Sequence, residues 1–169
     1  MIAPLLLWAA AATLPSSPEL GKAEGQCHPD EHGSSFLVTV NGIKDRRGRL
    51  KLELYPANDT DFLADDNILI AAGKTFRRVE TPVPASGPIQ LCIRAPGPGV
   101  YALSLLHDRD ANRKFALSVD GIGFAGNPKL GMAKPSASAA SVRALTGPTP
   151  VSIMLNYRRG LFSFGPLER

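Results

Sequence analysis

The sequence predicts an all-β fold: a single antiparallel β-sandwich, immunoglobulin-like or transthyretin-like, of about seven strands with one long loop. Three observations predict it. Apolar and polar residues alternate in short runs, which is the period of a strand with one buried face. The 16 glycines and 15 prolines follow no period and divide the chain into short elements. The length of 169 residues suffices for one hydrophobic core and is short for two.

The individual strands follow from this alternation and from the turn residues between the runs. Segments 36–40 and 50–55 form the clearest hairpin, because each alternates cleanly and turn residues occupy 41–48. Further strands are predicted over 79–83, 89–94, 100–106, 140–145 and 151–157. Segment 61–72 carries apolar residues between acidic ones and is predicted as a short helical crossover.

The N-terminus has the features of an export signal. Residues 2–12 form an apolar stretch as long as a signal-peptide core and too short to span a bilayer. No lysine or arginine precedes this stretch, although signal peptides usually begin with a positive charge. The alternative is a buried N-terminal strand, but alanine-rich runs form strands poorly. We expect a signal peptide over 1–25, an N-terminal tail over 26–34, the β-sandwich over 35–158 and a C-terminal tail over 159–169. The expected destination is the periplasm or the exterior.

The chain has two cysteines, Cys27 and Cys92. An even cysteine count in an exported protein predicts a disulfide, with two free thiols as the alternative. Cys92 alternates with Leu91 and Ile93, so its side chain is expected on the face of its strand that points away from the core.

The charge balance is basic. Cleavage after residue 25 would remove Lys22, Glu19 and Glu24 and change the net charge from +4 to +5. The segment 156–164 mixes cations with aromatic residues, a combination suited to an anionic membrane surface or a partner groove. A final strand followed by a frayed end is the plainer interpretation. The sequence does not identify a partner, and we predict no nucleic-acid binding. Contact with the cell envelope or with another anionic surface is one hypothesis. We expect the protein to be a monomer.

An acidic stretch follows the predicted strand 100–106. Asp108, Asp110 and Asn112 have the spacing of the first oxygen ligands in a calcium loop. The sixth position should be glycine and is Arg113, and the twelfth should be acidic and is Val119. We therefore predict a polar turn whose side chains cap backbone amides, with a metal as the alternative and no cofactor otherwise.

The histidines give a second metal hypothesis. His28 and His32 are close in sequence, and His107 is the third histidine of the chain. If the disulfide brings residues 28–32 near the acidic stretch, a periplasmic zinc or copper site of His28, His32 and His107 or Asp108 is conceivable. The alternative is a solvated tail.

A glycine-rich segment, GIGFAG, begins at Gly121 and matches a dinucleotide-binding pattern. That pattern needs a following helix, and Asn127-Pro128 excludes one. We expect the glycines to let a long loop fold back with Phe124 packed beneath it. Gly121, Gly123, Phe124 and Asn127 remain candidate ligand contacts, at the place where loops 107–114 and 121–132 would meet.

Catalysis finds little support in the sequence. No G-x-S-x-G nucleophile elbow is present, and Cys92 is expected to be oxidised. His107 and Asp108 are neighbours in a strand, so their side chains point to opposite faces and cannot form a relay. We assign no catalytic residues and predict a non-enzymatic binding or accessory module.

Several segments resemble one bacterial family. VTVNGIKDRRGRLKLELYP, FRRVETPVP, PGPGVYALSLLHDRDANRKF and GIGFAGNP together resemble the domain-of-unknown-function family 2141, over most of residues 36–157. The most specific part is segment 99–102 leading to His107, Asp108 and Asn112. The resemblance implies an exported β-sandwich without an established activity and supplies no catalytic residues. Members often have Gly-Lys-Leu-Asp after the acidic turn, where this chain has residues 113–116, Arg-Lys-Phe-Ala, which weakens a metal interpretation.

Overall fold

The computed structural model describes residues 15–131 and 133–167, and it is all-β, with 39% strand and 9% helix. The all-β prediction is therefore confirmed. The described residues form ten strands rather than about seven. The strands are β1 (Ser35–Asn41), β2 (Arg49–Pro56), β3 (Arg77–Pro82), β4 (Ile89–Arg94), β5 (Gly99–Asp108), β6 (Gly121–Phe124), β7 (Ser141–Ala144), β8 (Pro148–Met154), β9 (Asn156–Arg158) and β10 (Phe164–Pro166).

The strands form two sheets that do not close into a barrel. One has three strands in the order β4-β1-β8. The other has seven, in the order β10-β9-β6-β5-β2-β3, with β7 beside the start of β5. All pairs are antiparallel except β1 with β8, which run parallel from Ser35 opposite Pro148 to Asn41 opposite Met154. The prediction of a purely antiparallel fold is wrong at this pair, because β8 returns to β1 by a long crossover, as a parallel partner must. The predicted hairpin of segments 36–40 and 50–55 is also wrong, because β1 lies in the three-stranded sheet and β2 in the seven-stranded one, and the two strands do not pair.

One hydrophobic cluster contains buried residues of both sheets. Leu50, Leu52 and Leu54 of β2 are fully buried, as their period of two predicts. They belong to one cluster with Phe36 and Val38 of the small sheet. The sandwich class, immunoglobulin-like or transthyretin-like, stays a prediction.

A second hydrophobic cluster covers part of the outer face of the seven-stranded sheet. Tyr55 packs edge-on against Phe62 and Phe76, and Phe62 packs edge-on against Phe124. The segment between β2 and β3 supplies Phe62 and contains the short helix α2 (Asp66–Ala71). The helical crossover predicted over 61–72 is helical only in its second half.

The C-terminal strands differ from the prediction of one strand over 151–157. The chain leaves the small sheet after β8 and enters the large sheet at β9, with Leu155 between them. Leu155 is fully buried, and its N–H donates to the carbonyl oxygen of Asn41. The segment predicted as a C-terminal tail contains β10, which pairs with β9.

The N-terminal segment packs on the domain before β1 begins. A four-residue helix, α1 (Lys22–Gly25), contacts β3, and Gln26 forms a bridge with Ile93. The guanidinium of Arg78 donates to the carbonyl oxygen of Ser17 over 3.0 Å. The predicted leader boundary after residue 25 therefore falls just beyond a packed segment, whereas its apolar stretch 2–12 lies outside the described residues. Within 15–131 and 133–167, no helix is both long enough and apolar enough to cross a bilayer.

Candidate functional site

The predicted disulfide is present and joins Cys27 to Cys92. Leu91 and Ile93 are buried while Cys92 is only half-buried, so the bond lies on the outer face of β4, as its alternation predicts. The bond fixes the N-terminal segment across that face.

The acidic stretch after β5 is a polar turn. The buried Asp108 accepts backbone N–H groups from Asn112 over 3.1 Å and Arg113 over 2.7 Å, and Asp110 accepts the same Asn112 N–H. Ala111 and Arg113 adopt left-handed backbone conformations, with φ of 56° and 66°. The turn therefore closes without the glycine that a calcium loop needs, because aspartate carboxylates hold its backbone.

Asp120 completes this acidic cluster and was not among the predicted ligands. Its two oxygens accept N–H groups from Arg109 and Ala116, which ties the end of the loop to its beginning. One oxygen each of Asp108, Asp110 and Asp120 lies within 4.8 Å of the others. Burial raises the pKa of Asp108, and the neighbouring Asp110 and Asp120 carboxyls act in the same direction. Three carboxylates are possible cation ligands, yet each here already accepts backbone N–H groups.

His107 is a fully buried structural residue. Its Nε2 lies 2.8 Å from the carbonyl oxygen of Arg47, and its Nδ1 lies 2.6 Å from the hydroxyl oxygen of Tyr157. A carbonyl only accepts, so Nε2 carries the proton and Nδ1 accepts from the Tyr157 hydroxyl. That hydroxyl in turn accepts the N–H of Lys44. Burial lowers the pKa of His107. Both ring nitrogens are engaged in these two hydrogen bonds.

The three-histidine site does not form. His28 and His32 are exposed near the start of β1, whereas His107 contacts the loop that follows the end of β1. The seven residues of β1 span roughly 20 Å. Among the described residues, groups of three potential metal-ligating side chains converge only at Asp108, Asp110 and Asp120.

The glycine-rich segment is strand β6 rather than part of a long loop, which corrects the prediction over 121–132. Its glycines allow close approach to β8 and β9: a Cβ on Gly121 would lie 2.3 Å from the Tyr157 ring, and one on Gly123 would lie 2.6 Å from the Ile153 side chain. Phe124 is buried, as expected. The side chain of Asn127 binds the backbone of β8: it accepts the N–H of Met154 and donates to the carbonyl oxygen of Ser152. These contacts are structural.

A network of ion pairs on the outer face of β2 and β3 was also missed. The Arg78 guanidinium pairs with Glu53 over 2.7 Å and with Asp66 over 3.1 Å, and all three are buried. Burial alone would lower the pKa of Arg78, but the two carboxylates raise it overall. Opposite charges on paired strands could have predicted this network, as at Lys51, which lies opposite Glu80. The network holds α2 and the N-terminal segment on the sheet.

An exposed apolar surface lies elsewhere on the molecule. A groove of about 220 Å³ runs beside β6, and we call it the apolar groove. Phe115 and Leu117 in it are 45% and 44% exposed. Its other large apolar side chains are Leu63, Ile122, Phe124, Leu130 and Phe164.

The turn between β9 and β10 exposes two further apolar side chains, and we call residues 160–163 the hairpin tip. Leu161 and Phe162 in it are 74% and 89% exposed. The N–H of Arg159 donates to the carbonyl oxygen of Ser163 over 2.8 Å and closes the turn. Phe164, the first residue of β10, follows the tip directly in the chain and lines the apolar groove.

Cations border the apolar groove and the hairpin tip. A second cleft shares Leu130 and Phe164 with the groove and is lined by Lys129 and Arg159. Lys134 lines the groove itself, and Arg158 donates from Nε to the Gly160 carbonyl oxygen in the tip. Residues 121–167 contain five lysines and arginines and no aspartate or glutamate. The residues that line the groove and the cleft include exposed apolar side chains and the cations Lys129, Lys134 and Arg159, and no aspartate or glutamate.

Comparison with known proteins adds one match. The model of one family, described as "Uncharacterized protein conserved in bacteria", matches residues 38–152. The match covers more than half of the chain. No curated protein and no solved structure matches the chain.

Proposed function

The chain belongs to that bacterial family, DUF2141, and from its surface we propose that it is an exported, non-enzymatic β-sandwich protein, a monomeric binding or accessory module of the cell envelope. The apolar groove with its hairpin tip carries this proposal. Soluble monomers rarely expose large contiguous apolar patches, and such patches mark interaction sites. The four most exposed large side chains there are Phe115, Leu117, Leu161 and Phe162.

Export is supported by the disulfide and by the apolar stretch at residues 2–12. Disulfides form and persist in oxidising compartments and are rare in the cytosol. The bond between Cys27 and Cys92 links the N-terminal segment to β4. The proposed destination is the periplasm or the exterior.

A non-enzymatic role is supported by the use of the buried polar side chains. Both ring nitrogens of His107 are engaged, and the oxygens of Asp108 accept backbone N–H groups. Arg78 is balanced by Glu53 and Asp66. Each of these groups holds backbone segments together.

The dimensions of the apolar groove support surface contact rather than enclosure of a small ligand. Pockets for drug-sized molecules measure about 300–1,000 Å³. The groove, at about 220 Å³, is smaller, and its flanking side chains protrude into solvent. A surface of this shape suits a large partner.

The proposal is tested by expressing the full chain in a bacterium and separating cytosol, periplasm and envelope. We expect a processed, disulfide-bonded protein outside the cytosol, retained with the envelope. Thiol alkylation before and after reduction reports the bond. The variant Leu161→Ser/Phe162→Ser should be exported but lose envelope retention, whereas the control Ile68→Ser/Leu145→Ser, at exposed apolar sites outside the groove, should keep it. Reduced, unprocessed protein in the cytosol would contradict the proposal.

A further inference from the structure

We propose that the hairpin tip and the rim of the apolar groove dock on an anionic lipid bilayer. Leu161, Phe162 and Phe115 enter the interface between headgroups and acyl chains, and the bordering cations contact lipid phosphates. This inference rests on the proposed envelope function and names its partner.

The protruding shape of the apolar surface supports insertion. Phe162 and Leu161 are the two most exposed large apolar residues of the described chain, and they are adjacent at the end of a hairpin. The Arg159–Ser163 backbone hydrogen bond holds the turn closed, so its backbone polar groups do not all need new partners at the membrane. Phe115 adds a third apolar side chain from a separate segment of the same surface.

The charge around this surface is complementary to anionic lipid. Lys129 and Arg159 line the cleft next to Phe164, and Lys134 lines the groove. The absence of acidic residues from 121–167 removes a source of repulsion from phosphates. Basic residues beside an amphipathic surface are the arrangement that anionic membranes attract.

The same cations argue against a second copy of the chain as the partner that covers this surface. A two-fold symmetric contact would bring each cation-rich rim against its own copy. Like charges brought together and desolvated repel, and no acidic residue in 121–167 would compensate. An anionic lipid bilayer causes no such repulsion, because its phosphates are negatively charged and can move to contact the cations.

The lysine and arginine residues are not equally suited to a test. Lys134 Nζ already donates to the Phe62 carbonyl oxygen over 2.9 Å and lies over the Phe62 ring, so its removal would disturb the second hydrophobic cluster. Lys129 is exposed at the cleft. Arg158 is exposed beside the tip, and its bond to the Gly160 carbonyl oxygen involves no residue of either hydrophobic cluster. Arg47 and Arg143 are exposed and line neither the groove nor the cleft, so they supply a control with the same change in net charge.

The experiment is sedimentation of the processed, disulfide-bonded protein with vesicles of phosphatidylglycerol and phosphatidylethanolamine, and with vesicles of phosphatidylcholine alone. We expect binding to the anionic vesicles that weakens with added salt, and far weaker binding to phosphatidylcholine. Lys129→Gln/Arg158→Gln should weaken binding about thirtyfold, since each cation near an anionic surface contributes a factor of about five. Arg47→Gln/Arg143→Gln should bind like the wild type.

The apolar contribution is measured in the same way. Leu161→Ser/Phe162→Ser should weaken binding at least about a hundredfold, and Ile68→Ser/Leu145→Ser should not weaken it. Circular dichroism and the intact disulfide verify that each variant is folded. Failure of the wild type to bind anionic vesicles, or wild-type binding by the tip variant, would overturn the inference. If the wild type ignores vesicles yet needs its tip for envelope retention in cells, the partner is a protein and the proposed function survives. Tip-dependent dimerisation in sedimentation velocity would identify a second copy as the occupant and would also overturn the inference.

Discussion

Replacement of both cysteines by serine should lower the free energy of unfolding by about 4 kcal/mol. The disulfide joins residues separated by 65 positions. For a closed loop of that length, the chain-entropy relation gives an entropy loss in the unfolded state of about 14 cal/mol/K, which is about 4 kcal/mol at 25 °C. Small domains have total stabilities of about 5–15 kcal/mol, so the variant should remain folded but unfold at a much lower urea concentration.

The hydrophobic core explains why the variant should still fold. Phe36, Leu50 and Ile93 belong to one buried cluster that includes neither cysteine. Urea titration followed by far-ultraviolet circular dichroism measures the change. Reductant should bring the wild type to the stability of the Cys27→Ser/Cys92→Ser variant and leave that variant unaffected. A loss below about 1 kcal/mol would refute the argument that this bond constrains a long unfolded loop.

Three further predictions concern the interior and the acidic turn. Burial lowers the pKa of His107, so as the pH falls below about 6.5 the unfolded chain takes up a proton that the native chain does not. In urea titrations, the free energy of unfolding should therefore decrease below that pH, by at most about 1.4 kcal/mol per pH unit. An identical slope in His107→Gln would contradict this cause. Gly121→Ala should cost about 1–3 kcal/mol because its Cβ meets the Tyr157 ring, whereas Gly97→Ala, with nothing within 4 Å, should not. Asp108→Ala should cost about 1–3 kcal/mol by leaving the Asn112 and Arg113 N–H groups without their acceptor, and calcium or a chelator should not move the wild-type melting temperature. A calcium-dependent melting temperature would identify the turn as a metal site instead.

Local patterns predicted the elements that local physics determines. The alternation at Leu50, Leu52 and Leu54 identified β2, since side-chain direction in a strand depends only on position. The capping role of Asp108 followed from aspartate chemistry within five residues. The disulfide followed from two cysteines and a predicted compartment.

Features that depend on distant contacts could not be predicted in this way. Gly121 and Gly123 have no side chains to alternate, and their strand is defined by the close approach of Tyr157 and Ile153. The change of sheet at Leu155 and the parallel pairing of β1 with β8 depend on the complete topology. Asp120 reaches the acidic turn only because the loop after β5 returns upon itself.

The candidate surface was partly visible in the sequence. The mixture of cations and aromatics over 156–164 suits an anionic membrane surface or a partner groove, although a final strand with a frayed end was the preferred interpretation. The apolar groove was not visible, because Phe115, Leu130 and Phe164 come from three segments that only the fold brings together.

The most direct test of the account uses tryptophan fluorescence at the hairpin tip. Trp8 is the only tryptophan in the chain and lies in the predicted leader, so Phe162→Trp gives the processed protein a single reporter. Anionic vesicles should shift its emission to shorter wavelength, and quenchers attached to the lipid acyl chains should reduce it, whereas phosphatidylcholine vesicles should do neither. Emission that stays at the wavelength of a water-exposed indole on anionic vesicles would contradict membrane docking through this surface.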